Sequence, residues 1–216
     1  MPPKEGSVFT TSWKVIGNLL PLLLAAPFLY QAIRTFASTG PSVGLIYWVV
    51  AFLGTAWVAL ALLGSAGTRT MRHVVSRRLH IDRPFDRSRK WFVGFARPVY
   101  KSALDPHEDV GFLLLHPDKV EFFGSVHRIQ LDKSDVTGVR FRPNTHTLVG
   151  LGRWISIEAV VVDKPVRLLI ESRERPTLVA NLFFSKKLLK EIKAWKAEGP
   201  PAEAGGPSES QSLTEP

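Results

Sequence analysis

Residues 43–66 read VGLIYWVVAFLGTAWVALALLGSA, 24 positions without one charged side chain. A helix rises about 1.5 Å per residue, so this run can cross a hydrocarbon core of about 30 Å with some tilt. A second uncharged run of 19 residues, 15–33, precedes it between Lys14 and Arg34. Residues 37–42, ASTGPS, form a tight connector that makes the two runs antiparallel neighbours. The chain is therefore expected to open with a polar stub at 1–14 and a transmembrane hairpin at 15–66. The first helix carries Asn18, Pro21, Pro27 and Gln31. The prolines predict a kink, and the two amides are placed near the interfaces. In the second, Ala51, Thr55 and Ala59 recur every four residues, either as a close-packing stripe or as ordinary alanine content. Tyr47 and Trp48 fit a headgroup belt, whereas Trp57 lies too deep for one.

The formal charge of +9 is concentrated just beyond the hairpin. Residues 69–101 hold ten Lys or Arg against Asp82 and Asp86, while 109–196 hold 15 basic and 10 acidic residues. Lys and Arg are retained on the cytoplasmic side of a membrane. The expected location is the cell membrane, with two spanning helices and both termini cytoplasmic. Arg34, the residue before a potential cleavage site at 35–37, and the prolines in the apolar run disfavour a cleaved signal peptide.

Residues 67–108 are read as a basic juxtamembrane linker. Met71, Val75 and Leu79 share a helical face, so the second helix is expected to continue until Arg83-Pro84. Arg69, Arg72, Arg77, Arg78, Arg87, Arg89 and Lys90, with Trp91, are the candidate contacts for anionic lipid headgroups. Such contacts contribute about 1 kcal/mol per basic residue. The alternative is a topological signal with no binding role of its own. No nucleic-acid recognition motif accompanies the run, so nucleic acid is not an expected partner.

From residue 109 the pattern changes to short β-rich runs at 110–115, 120–123, 126–131, 136–142, 154–162, 166–172 and 178–184. Turn residues punctuate them: His116-Pro-Asp-Lys119, Gly124-Ser125, Asp163-Lys-Pro165. Ser185 reads as the N-cap of a helix whose Leu188, Leu189, Ile192 and Trp195 share one face. Residues 197–216, rich in Pro, Gly, Glu and Ser, read as a disordered tail.

Gly111-Phe-Leu-Leu-Leu, Val120-Glu-Phe-Phe-Gly124 and Ile129-Gln-Leu-Asp132 resemble the opening strands of bacterial pleckstrin-homology-like (PH-like) or GRAM-type domains. The order of seven strands and one closing helix over 109–196 is similar to that family, as is the preceding hairpin. The resemblance implies an α+β membrane protein. Its PH-like part is a seven-stranded antiparallel open barrel capped by a C-terminal amphipathic helix. It further implies a binding module for lipid headgroups, peptides or proteins. Lipid-binding members carry a basic cluster between their first two strands, and the matching loop here has Lys119 alone.

A search for chemistry returns no site. The absence of cysteine excludes disulfides, thiol catalysis and cysteine-ligated metals. Asp105-Pro-His107-Glu108-Asp109 is dense in ligand types, but adjacent loop positions seldom converge on one ion. His80, Asp82 and Asp86 lack triad or ligand spacing, and His127 and His146 stand singly. Gly64-Ser-Ala-Gly67 lacks the spacing of a nucleophile elbow, and Gly150-Leu-Gly152 lacks a third glycine. The expectation is a non-catalytic, membrane-tethered cytoplasmic module without cofactor or metal. It would recruit a membrane or cytoplasmic protein partner, or contact anionic lipid. In the alternative, an assembly or scaffold factor, the hairpin is the active part. A transporter or enzyme subunit would need Asn18 and Gln31 to line a pathway.

Overall fold

The computed structural model describes residues 11–79, 89–98 and 106–198. Helix α1, Thr11–Thr39, runs through Pro21 and Pro27, and α2 follows at Val43–Leu63. Gly40 takes a positive φ of 66° to end α1, and its N–H reaches the Phe36 carbonyl at 2.9 Å. A left-handed residue at this position suits glycine, which has no Cβ to clash. Ser42 then caps α2 by accepting from the Leu45 N–H. The two helices return antiparallel, with the Phe28 and Trp48 rings stacked at 6.3 Å. Both are long and apolar enough to cross a membrane.

The second helix does not continue unbroken. Gly64 closes α2, Gly67 turns with φ of 79°, and Thr68 Oγ1 donates to the Ser65 carbonyl before α3, Thr68–Leu79. The expected face of Met71, Val75 and Leu79 is present on α3. Met71 and Val75 are buried against Phe92, Val110 and Phe112 on the outer face of the sheet, and Leu79 packs at the margin.

Seven antiparallel strands form one sheet: β1 Arg89–Ala96, β2 Asp109–Leu115, β3 Lys119–Gly124, β4 Arg128–Asp132, β5 Val136–Arg142, β6 Trp154–Val161 and β7 Lys164–Ser172. Their spatial order is β4-β3-β2-β1-β7-β6-β5, and the sheet is not closed. A short helix α4, Thr145–Leu148, interrupts the β5–β6 connection, and α5, Leu178–Ala197, ends the described chain.

The strand count matches the sequence expectation, but one member differs. The run at 178–184 is the start of α5, with Thr177 rather than Ser185 as its N-cap. The seventh strand is β1, within the segment assigned to the linker. It lies at the sheet centre, pairing Phe92 with Phe112 of β2 and Phe95 with Ile170 of β7. Trp91, Val93 and Phe95 face the main core, where Leu188, Ile192 and Trp195 of α5 cover the inner face. That closing face of α5 is the one its spacing predicts, with Leu189 partly buried beside it.

Candidate functional site

The end of the hairpin is packed directly onto the sheet. Ala61 of α2, Leu151 after α4 and Leu178 of α5 form one small buried cluster. Leu178 sits so close to Gly64 that a Cβ there would lie 2.6 Å from its Cδ1. Asn181 Nδ2 donates to Ser65 Oγ at 3.1 Å, and Trp57 Nε1 donates to the Val149 carbonyl at 2.8 Å. Trp57, too deep for a headgroup belt, is thus the side chain that meets the β5–β6 loop.

Beside this joint lies a buried polar hub centred on Glu171 of β7, 2% exposed. Its carboxylate faces His107 Nε2 at 3.2 Å and His146 Nδ1 at 3.4 Å. It also accepts from Asn144 Nδ2 at 2.9 Å and from the Arg153 N–H at 3.2 Å. Arg173, itself buried, approaches His107 Nδ1 at 3.4 Å. Burial pushes the Glu171 carboxyl pKa up, but hydrogen bonds from His107 and His146 and their charge outweigh it and bring the pKa down to about 2.

The hub shapes the loop between β5 and β6. Asn144 caps α4 by accepting from the Thr147 N–H, while Thr147 Oγ1 donates to the Gly152 carbonyl at 2.7 Å. Gly152 is required by proximity, because a Cβ would stand 2.1 Å from Glu171 Oε1. No protein-family model and no curated protein sequence matches the chain. The reading therefore rests on geometry.

The proposed headgroup contacts separate into groups. Arg69, Arg77 and Arg78 are exposed on α3. Arg72, on the same helix, pairs with Glu174 at 2.6 Å, and Glu174 also accepts from the Phe92 N–H. Arg89 and Lys90 are exposed on β1; Arg89 reaches Glu198, and Lys90 Nζ stands over the Phe112 ring at 4.3 Å. Trp91 is a correction. It is only 7% exposed, its indole donates to Glu191 at 2.8 Å, and its ring meets Phe184 edge-on, so it belongs to the core. Alternation along β1 explains this: Phe92 faces α3 and Trp91 the opposite side. Arg87, His80, Asp82, Asp86 and Asp105 lie outside the described residues, as does the side chain of Asn18. Gln31 is half-buried.

The ligand-rich stretch splits, with His107 on one side and with Glu108 and Asp109 both beside His127 on the other, at 3.6 Å and 3.4 Å. His107 turns to Glu171, and Glu108 pairs with Arg97. Asp109 accepts from the N–H groups of Val126 and His127 and from Ser125 Oγ. His127, read alone as uninformative, is the third residue of the turn that encloses Asp109. In the hairpin, Ala51, Thr55 and Ala59 line a groove of about 680 Å³ shared with Gly54 and Leu24. Sequence reasoning missed Glu171, Asn144 and Arg173, which come from two segments, the β5–β6 connection and the end of β7. Only the flanking glycines, Gly94 and Gly152, hinted at close approach there.

Proposed function

We propose that this chain is a membrane-anchored, non-catalytic binding module with a PH-like sheet held at the cytoplasmic surface. One observation carries the reading: α2 passes into α3 through a four-residue turn, and the chain is fastened to the sheet and its flanking elements on both sides of that turn. Trp57 and Ala61 grip before the turn, Ser65 within it, and Met71 and Val75 after it. A tether of this kind fixes height and orientation, which suits recruitment of a protein partner or contact with anionic lipid. The strand order with β1 central, and an amphipathic helix over one face, support the PH-like assignment. The exposed arginines of α3 support a cytoplasmic side.

The test uses single cysteines in a chain that has none. A membrane-impermeant maleimide added to intact cells should modify Ser38→Cys in the connector region and spare Val162→Cys at the β6–β7 tip until the cells are opened. The reverse pattern overturns the cytoplasmic orientation. Release of the protein by alkaline extraction overturns the anchor itself.

A second reading, the assembly or scaffold factor, is favoured by the groove along Ala51, Thr55 and Ala59. Replacing the hairpin by an unrelated two-helix anchor should preserve partner recruitment if the sheet is the active part. Loss of recruitment with the sheet still folded supports the scaffold.

A further inference from the structure

The β5–β6 loop presents apolar side chains that the described residues leave exposed. Leu148 is 87% exposed and Val149 39% exposed, at the tip of a ten-residue segment, 143–152, that contains no Asp, Glu, Lys or Arg. Its one titratable group, His146, is buried in the Glu171 hub. Arg142 and Arg153 bracket the segment, so charge stops where the loop begins.

The loop's height follows from its bond to α2. Trp57 precedes the last residue of α2, Leu63, by six positions, about 9 Å along a helix. The 21 residues of α2 extend about 31 Å, which is close to the thickness of a hydrocarbon core. A helix of that length has no turn to spare, so its sheet-side end must lie near the boundary. Trp57, and the Val149 carbonyl bonded to it at 2.8 Å, then lie below that boundary, on the hydrocarbon side.

The loop backbone is also prepared for such a place. Irregular backbone enters a bilayer only if its polar groups find partners within the protein. The N–H groups of Thr147, Val149, Gly150 and Leu151 all bond to carbonyls within 144–147, and the Val149 carbonyl takes the Trp57 indole. Gly150, with φ of 74°, supplies the reversal that returns the chain to β6.

We infer that the β5–β6 loop is a membrane-inserting wedge: Leu148 and Val149 enter the acyl-chain region of the cytoplasmic leaflet beside Trp57. This rests on the membrane-anchored reading above and adds a second attachment, through the sheet itself. The occupant of the exposed surface is lipid. The three supports are the depth of Trp57, the absence of charge over 143–152 and the internally bonded backbone.

The experiment places an environment-sensitive fluorophore on one cysteine at a time in the full chain, reconstituted in phosphatidylcholine–phosphatidylglycerol vesicles. The sites are Leu148→Cys, Val162→Cys and Val50→Cys, the last two being 87% and 62% exposed in the protein. The expected result is blue-shifted emission at 148, quenched by doxyl groups high on the acyl chain and protected from iodide. Position 162 should show red emission and full iodide quenching, and position 50 quenching by deep doxyl groups. A watery signal at 148 with a lipid signal at 50 overturns the wedge and leaves the anchor standing. A watery signal at 50 overturns the anchor first. Blue emission at 148 that doxyl lipids fail to quench means that protein, such as a second copy, covers the loop, and overturns lipid as its occupant.

Discussion

Two carboxylates, Glu171 and Glu158, have their pKa values lowered to about 2, yet they differ in what they contribute. Glu171 is enclosed, and burial opposes the hydrogen bonds from His107 and His146 that hold its charge. Glu158 lies on β6, 21% exposed at its side chain, with hydrogen bonds from Arg142 setting its shift ahead of those from Arg140. Those arginines remain 32% and 60% exposed, so water and salt screen the pairs. A carboxylate whose folded pKa falls below its ordinary value of about 4.3 stabilises the fold above that value. Its contribution is lost as pH falls from about 4.5 towards 2. Glu171→Gln should therefore lower stability at pH 7 by about 2–3 kcal/mol and flatten the fall in melting temperature over that acid range. Glu158→Gln should cost less than about 1 kcal/mol. Thermal unfolding in detergent micelles at stepped pH measures both. Equal losses would mean that enclosure does not govern the hub. None of this was legible in the sequence, because Asn144, His146 and Glu171 meet only after β6 and β7 have paired.

At the scale of elements, the sequence misplaced one strand and one helix start, each for a physical reason. β1 reads as linker because Arg89 and Lys90 open it and charged residues surround it, yet Trp91 to Ala96 are buried on both faces. The outer face is covered by α3, a packing that no local pattern announces. The start of α5 reads as a strand because its buried face, Leu178, Asn181, Ser185, contains two polar residues that break the apolar helical period. Both are satisfied by distant partners: Asn181 donates to Ser65 Oγ, and Ser185 Oγ accepts from the Ser172 N–H. The later turns, with Leu188, Ile192 and Trp195, keep the period and were legible. Helix α3 shows the opposite division. Its apolar face was read correctly, and its exposed Arg69, Arg77 and Arg78 are the side chains we propose for contact with anionic lipid. A basic residue is worth about 1 kcal/mol at an anionic surface. Hydrogen exchange in α3 should therefore slow in anionic relative to neutral nanodiscs, and about 0.5 M salt should erase the difference. In the variant with all three changed to Gln the two rates should coincide. Identical wild-type rates in both lipids would leave these arginines with a topological role only.

For the whole molecule, the decisive feature is the joint between hairpin and sheet. Its grips lie on both sides of the Gly64–Gly67 turn, so bending there requires breaking buried contacts rather than rotating one loop. Leu178 is the side chain to remove. It fills the space between Gly64, Ala61 and Leu151, but it lies outside the main core formed around Leu188, Ile192 and Trp195. Leu178→Ala should therefore free the joint, at about 2–5 kcal/mol of local packing, while the sheet and the closing turns of α5 stay assembled. The absence of native cysteine allows spin labels at Ser38→Cys and Val162→Cys alone, one in the hairpin and one at the sheet tip. In nanodiscs the parent chain should give a single narrow distance distribution by double electron–electron resonance. Leu178→Ala should broaden it, with the Trp57 bond to Val149 as the remaining restraint. A broad distribution in the parent would mean that the sheet swings beneath its anchor, and presentation at fixed height would fail. A narrow one in both would transfer the restraint to Trp57 and α3, which Trp57→Phe in the Leu178→Ala background would then separate.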